Sequence, residues 1–174
     1  MSEERRTKVL FLCTGNSARS IVAEYLLRKT DGWRFETFSA GSHPRGEVHP
    51  LARRLLDEVY GIDARDARSK PWEEYKDTDF DFVITVCDNA AGETCPLWPG
   101  QPVTAHWGVP DPAAVQGADD AKRKAFLTAF TVLSTRINYL LVLPIEKLDR
   151  LALKARLDDI GTRTSAAFEA DRAV

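Results

Sequence analysis

The stretch Val9-Leu-Phe-Leu-Cys13-Thr-Gly-Asn-Ser-Ala-Arg19-Ser20 decides the fold of this chain. Its first five residues form a continuous apolar run, which is typical of a strand buried on both faces of a parallel sheet. Beyond the Gly-Asn pair the apolar residues recur at helical spacing, at Ile21, Val22, Tyr25 and Leu26. A strand, a tight turn and a helix begin a βαβ unit, so this stretch predicts an α/β fold.

The rest of the chain continues the alternation of strands and helices. Further strands are predicted over residues 35–40, 82–86 and 103–106, and helices from Pro50, from about residue 118, and over about 145–160. The expected buried faces of these helices are Leu51, Leu55, Leu56 and Val59, then Phe126, Phe130, Leu133, Ile137 and Leu140, then Leu148, Leu151, Ala155 and Ile160. The pattern predicts a three-layer α/β/α fold around a four-stranded parallel sheet with right-handed crossovers.

Length and composition set the class of protein. A chain of 174 residues suits one domain over residues 1–174, with an extra C-terminal helix and a polar tail. Hydrophobic residues make up 44% and charged residues 29%, as in a globular protein, and the net charge of -2 gives no general attraction to nucleic acid or a membrane. With no export signal and no apolar run of spanning length, we expect a cytoplasmic protein.

The loop between the first strand and helix has the chemistry of an anion site. Backbone N–H groups and a helix N-terminus would surround a tetrahedral oxyanion, and Arg19 could bind two of its oxygens at once. The same positive potential is expected to lower the pKa of Cys13 and make it a nucleophile. The alternative is a core cysteine followed by a surface arginine. The expected oxyanion-binding residues are Thr14, Gly15, Asn16, Ser17, Ala18, Arg19 and Ser20.

Cys-Thr-Gly-Asn-Ser-x-Arg-Ser resembles the catalytic loop of the arsenate reductases that share the low-molecular-weight tyrosine phosphatase fold. The resemblance runs from about Val9 to Ala114 and includes Phe38-Ser-Ala-Gly41, Cys87, Cys95 and His106-Trp-Gly-Val-Pro-Asp-Pro112 in the same order. It implies reduction of arsenate to arsenite, with phosphate or sulfate as competing oxyanions. The alternative function is that of a low-molecular-weight tyrosine phosphatase, which hydrolyses phosphate monoesters through a phosphocysteine.

The resemblance also gives roles to three residues outside the loop. Asp111 would protonate the departing oxygen, although an Asx-type turn residue is the alternative for an aspartate before proline. Cys87 would attack Cys13 and expel arsenite, and Cys95 would then form a disulfide with Cys87 that an external thiol reductant opens. The alternatives for these two cysteines are inert core residues or a zinc site, whose usual spacing they do not match. His106 is expected to be a packed, hydrogen-bonded residue.

No bound cofactor or metal is expected, and the electron donor would be thioredoxin or a glutathione/glutaredoxin couple.

A tyrosine phosphatase usually has an aromatic residue after the loop Asp-Pro, whereas here Ala113 and Ala114 follow. A third possibility is a catalytically idle oxyanion-binding module or redox sensor.

A last expectation concerns support behind the loop. Some relatives hold a potassium ion there with Asn, Glu, Ser and Asp, and Asn16, Glu24 and Ser39 match three of these. The fourth position is Lys70, whose ammonium is predicted to replace the cation and to hydrogen-bond Asn16 or Glu24. A solvated surface lysine is the alternative.

Overall fold

The computed structural model describes residues 4–88 and 97–163. Its strands are β1 (Thr7–Cys13), β2 (Phe35–Gly41), β3 (Phe82–Thr85) and β4 (Val103–His106). Its helices are α1 (Arg19–Asp31), α2 (Pro50–Tyr60), α3 (Asp119–Leu141) and α4 (Arg150–Arg163). In these described ranges, none of the helices is both long and apolar enough to cross a membrane.

The sheet is four-stranded and parallel, in the order β2-β1-β3-β4. Cys13 pairs with Gly41, and Thr85 pairs with both Leu12 and His106, so all four strands end at one edge. Ligands bind at this edge in open α/β sheets. The predicted α/β fold class with a four-stranded parallel sheet is confirmed.

The two faces of the sheet are covered differently. Val9 and Phe11 point into the larger core, which residues of α1, α2, α3 and α4 share. Leu10 and Leu12 alternate to the opposite face. There, within the described residues, the cover is a short 3-10 turn and aromatic side chains rather than an α-helix; they are Trp72, Tyr75, Phe80 and Trp98.

Helix α2 begins at Pro50, where the sequence predicts. The His49 ring accepts a hydrogen bond from the Leu51 amide at 3.1 Å, and Gly61 ends the helix with a φ of 64°. Leu55 and Leu56 are buried as expected. The prediction for Val59 was wrong, because its side chain is 48% exposed in the last turn of the helix.

Helix α3 has the predicted buried face. All five residues expected to face the core are buried: Phe126, Phe130, Leu133, Ile137 and Leu140. The helix also buries Arg136 completely, which no apolar pattern could indicate. It ends at Leu141, three residues before Pro144.

Helix α4 runs beside β4. Arg150 donates to the carbonyl of Pro102 at 3.3 Å, and Lys154 donates to that of Thr104 at 2.6 Å. Its buried residues include Leu157, Ile160 and Gly161. The face predicted from Leu148 was wrong at Leu151, which is 80% exposed, and at Ala155, also exposed. The reason is that Leu151 and Ile160 are nine residues apart in this helix, which at about 3.6 residues per turn places them on opposite sides. The predicted tail lies outside the described residues.

Candidate active site

The loop from Cys13 to Arg19 joins β1 to α1, as the sequence predicts. Its turn depends on Asn16, which has a φ of 41°, a left-handed conformation that asparagine tolerates better than most residues. This turn aims the Asn16 amide at the Cys13 sulfur, 3.1 Å away. The loop also needs a small neighbour, because a Cβ at Gly41 would lie 2.5 Å from the Thr14 carbonyl oxygen.

The segment after β2 holds the outer side of this loop. Backbone amides of His43, Arg45 and His49 donate to the carbonyls of Thr14, Gly15 and Ser17 at 2.9, 2.9 and 2.7 Å. Because these three carbonyls are bonded to the segment after β2, the backbone N–H groups of the loop can face the site, where an oxyanion needs them. Sequence reasoning missed this segment, because backbone bonds leave no signature in side-chain chemistry.

The Cys13 sulfur is surrounded by potential donors. It is 2.9 Å from the Ser20 hydroxyl, and the Asn16 side-chain amide donates to that same hydroxyl at 2.8 Å. Because Ser20 accepts from Asn16, its own hydrogen is available to donate to the sulfur. This arrangement favours the thiolate over the thiol.

Burial acts against these donors. Cys13 is 3% exposed, and desolvation raises the pKa of its thiol. Negative charge at Cys87 acts in the same direction as burial, whereas the Ser20 hydrogen bonds and the Arg19 charge act to lower this pKa. The predicted lowering of the Cys13 pKa was therefore wrong, because the sequence shows the donors but not the depth at which the sulfur is buried.

Replacing Ser20 by alanine is expected to raise the pKa of Cys13 further, since it removes the side-chain hydrogen bond, which opposes desolvation most. Below that pKa, alkylation of Cys13 by iodoacetamide should slow about tenfold, as expected for a hydrogen bond to a charged group. Peptide-resolved mass spectrometry across a pH series measures the rate. Ser42→Ala, a change at a half-buried serine directly after β2, is the control. An unchanged pH profile in Ser20→Ala would contradict the expectation.

Arg19 connects the anion loop to the loop that follows β4. Its guanidinium donates to the Val109 carbonyl at 2.8 Å and lies 3.7 Å from the Asp111 carboxylate. Asp111 also accepts from the Ala113 amide at 3.0 Å and begins a 3-10 turn. The structure thus combines the turn-capping arrangement with a place beside Arg19, where an acid could serve a bound oxyanion.

Cys87 lies next to the loop as well. Its sulfur accepts a hydrogen bond from the Thr14 amide at 3.3 Å and is 3.6 Å from the Thr14 hydroxyl. Cys87 is 2% exposed. Cys87 is thus buried, yet its sulfur is bonded to the residue directly after Cys13. Cys95 lies outside the described residues.

His106 is hydrogen-bonded, as expected, but the expectation that it is packed was wrong, because its side chain is 40% exposed. Thr85 lies 2.7 Å from Nδ1 of the ring, and Asp88 lies 2.9 Å from Nε2.

Behind the loop is a buried polar network. Lys70 is buried, and its backbone amide donates to the Asn16 side chain at 2.9 Å. Its ammonium donates to Ser39 at 3.3 Å and lies 3.8 Å from Glu24, which accepts from Ser39 at 2.6 Å. The structure brings the four predicted support residues together but corrects their pairing. The main chain of Lys70, not its ammonium, bonds Asn16, and the ammonium is too far from Glu24 for a hydrogen bond.

We expect wild-type protein to be insensitive to potassium, because an ammonium already occupies the position behind the loop. A Lys70→Asp variant should melt at a lower temperature in sodium, since it puts a second carboxylate beside the buried Glu24. Potassium should restore several degrees of melting temperature to this variant alone. The measurement is thermal unfolding in NaCl and KCl at equal ionic strength. Stabilisation of wild type by potassium would contradict the role of Lys70.

Arg45 is a further residue that the sequence did not single out. Its side chain lies over Gly15, where an added Cβ would be 3.2 Å from the Arg45 Nε. Nearby, a cavity of about 370 Å³ is lined partly by His49, Lys122 and Pro112. Arg45 therefore adds a positive charge beside the anion loop, which favours an anionic substrate.

Comparisons with known proteins agree with this geometry. The family model described as low molecular weight phosphotyrosine protein phosphatase matches residues 8–153. An arsenate reductase of Halalkalibacterium halodurans is 37% identical over 118 residues, covering 68% of this chain and 83% of the relative.

Solved structures are similar too. A thioredoxin-dependent arsenate reductase of Corynebacterium glutamicum has a TM-score of 0.59 and 31% identity, covering 80% of this chain and 62% of that one. A low molecular weight protein tyrosine phosphatase of T. tengcongensis has a TM-score of 0.63 and 26% identity, covering 82% of this chain and 99% of that one.

Proposed function

The chain belongs to the low molecular weight phosphotyrosine protein phosphatase family, and we propose that it is an arsenate reductase whose cysteines supply two electrons to arsenate. The observation that carries this proposal is the position of Cys87, whose sulfur is bonded by the amide of the residue after Cys13. Hydrolysis of a phosphate ester needs only one cysteine. A second thiol at this place is needed only if the first sulfur must be attacked.

In the first step, arsenate binds with its oxygens facing the loop amides and the Arg19 guanidinium. The Cys13 thiolate attacks arsenic, a sulfur–arsenic bond forms, and one oxygen leaves as water. Asp111, 3.7 Å from Arg19, is placed to give that oxygen a proton. Arsenic remains in its pentavalent state in this adduct.

In the second step, the Cys87 thiolate attacks the Cys13 sulfur. The sulfur–sulfur bond forms as the sulfur–arsenic bond breaks, and its electron pair stays on arsenic. Arsenic is thereby reduced by two electrons and leaves as arsenite, while Cys13 and Cys87 are oxidised to a disulfide.

In the third step, Cys95 attacks Cys87, which releases Cys13 as a thiol and moves the disulfide to Cys87 and Cys95. An external dithiol then reduces this bond and completes the cycle. We propose thioredoxin as the donor, because a similar structure is that of a thioredoxin-dependent arsenate reductase. A glutathione/glutaredoxin couple is the second candidate.

The phosphatase alternative has support from the family and from the T. tengcongensis structure. Two observations favour the reductase. The curated relative from H. halodurans is an arsenate reductase at 37% identity. Asp111-Pro112 is followed by Ala113 and Ala114, which offer no aromatic surface to hold a phosphotyrosine ring.

The test is release of arsenite from arsenate with thioredoxin, thioredoxin reductase and NADPH, run in parallel with glutathione and glutaredoxin. The proposal expects NADPH oxidation equal to arsenite formed in one of these systems. A Cys95→Ser variant should release one arsenite per chain and then stop, and Cys13→Ser should release none. Hydrolysis of an aryl phosphate without arsenite release from either system would overturn the proposal in favour of a phosphatase.

A further inference from the structure

We propose that the C-terminal helix α4 positions the loop of residues 107–111, and that the buried Arg136 is the residue that connects the two. The inference rests on the proposed function in one respect, namely that Asp111 in this loop acts as the acid. It assigns a role to α4, most of which lies beyond residue 153, where the family match ends.

Arg136 bridges two separate segments from the middle of α3. Its side chain is 0% exposed, and its guanidinium donates to the carbonyl of Gly108 at 3.1 Å and to that of Gly161 at 3.3 Å. Gly108 belongs to the loop and Gly161 to α4. Burial lowers the pKa of Arg136 to about 10, so the group remains charged at neutral pH. Burying a charged group costs desolvation free energy, and here hydrogen bonds to main-chain carbonyls offset that cost.

The loop and α4 also touch directly. The Trp107 indole is fully buried and donates to the carbonyl of Leu157 at 2.9 Å. At Gly161 the contact is closer still, since an added Cβ would lie 2.3 Å from the His106 carbonyl oxygen. The helix backbone therefore packs against the backbone that leads into the loop.

The loop of residues 107–111 is also bonded to the active site, through Val109. Arg19 donates to the Val109 carbonyl, and the Val109 amide donates to Val86 at 3.0 Å. The carbonyls of two consecutive residues, Gly108 and Val109, thus accept from Arg136 and Arg19 respectively. A shift of α4 or Arg136 would be passed through this short segment to Arg19 and Asp111. We therefore regard Arg136 as a positioning residue.

The first test is kinetic and uses Arg136→Met, which keeps much of the side-chain volume but removes the donors. We expect arsenite formation in a single turnover to slow about tenfold in the wild-type background. In an Asp111→Asn background the same change should cost less than twofold, because the acid that Arg136 positions is already lost. Arg136→Lys, which keeps the charge and one donor group, should recover part of the rate.

The second test does not depend on activity. Hydrogen exchange of the Trp107 and Val109 amides, which donate to Thr85 and Val86, reports on the loop itself. Both Arg136→Met and Gly161→Ala should raise their exchange rates by about tenfold. Gly161→Ala disturbs α4 and leaves the residues of α3 themselves unchanged, so it serves if Arg136→Met fails to fold. Phe130→Leu, a buried change elsewhere on α3, is the matched control and should leave both rates unchanged.

The inference would be overturned if the Trp107 and Val109 amides exchanged at unchanged rates in folded Arg136→Met and Gly161→Ala. It would also be overturned if Arg136→Met slowed arsenite formation equally in the wild-type and Asp111→Asn backgrounds. Failure of the proposed arsenate reductase activity would give a different result. Wild-type protein would then release no arsenite, while the exchange measurement would still report whether α4 holds the loop.

Discussion

Replacing Cys87 by serine is expected to abolish steady-state arsenate reduction, lowering turnover by more than about 10³-fold while leaving the fold intact. Serine can keep the hydrogen bond from the Thr14 amide, so the local structure should be preserved. Its hydroxyl cannot attack the Cys13 sulfur at neutral pH, so arsenic remains bonded to Cys13. NADPH oxidation measures turnover, and circular dichroism measures the fold.

The same variant offers an internal control. Hydrolysis of an aryl phosphate by this loop would use Cys13, Arg19 and Asp111 without Cys87. Any such activity in wild type should therefore survive within a few-fold in Cys87→Ser. Full arsenate turnover in Cys87→Ser would show that the thiol relay is wrong. A parallel loss of both activities would indicate a damaged loop instead.

Arg19→Lys is expected to lower kcat/KM for arsenate by roughly 10²–10³-fold, the cost typical of removing a preorganised donor for developing charge. The planar guanidinium can bind two oxygens while another of its nitrogens keeps the Val109 carbonyl, 2.8 Å away. A single ammonium group cannot do both. The variant should thus lose either the two-oxygen contact with the oxyanion or the connection to the loop that carries Asp111.

Steady-state kinetics with arsenate, and competition by phosphate, measure this loss. Arg45→Lys is the matched control, because Arg45 is an exposed arginine lying over Gly15 at the same loop. We expect Arg45→Lys to cost less than about fivefold, since its charge is screened and preserved. If the two variants behave alike, Arg19 acts only as a point charge, and the two-oxygen contact is not needed.

The fold and the anion loop were predictable from the sequence, because each depends on local patterns. The apolar run before Cys13, the Gly-Asn turn and the helical spacing after it all lie within twenty residues. Interactions between distant segments were not predictable. The amides of residues 43–49 hold the loop through main-chain bonds, and Arg136 lies on a helix whose apolar spacing is complete without it.

Two finer predictions failed for physical reasons. The Cys13 environment was inferred from donors near the thiol, but the depth of burial, which raises its pKa, depends on packing from β2, α1 and β3. The inner face of α4 was assigned to Leu151 and Ile160 together, although nine residues at about 3.6 per turn place them on opposite sides of the helix. The buried side is that of Leu157 and Ile160.

The contacts of Arg150 and Lys154 with β4 have a consequence for self-association. β4 is an outer strand of the sheet, and unpaired carbonyls on such a strand offer a template for another chain. Here the carbonyls of Pro102 and Thr104 already accept from these two cations. At the opposite border Arg28 donates to the Thr37 carbonyl of β2. Side chains thus occupy carbonyls at both borders of the sheet, and we expect this to disfavour the addition of a strand from another chain.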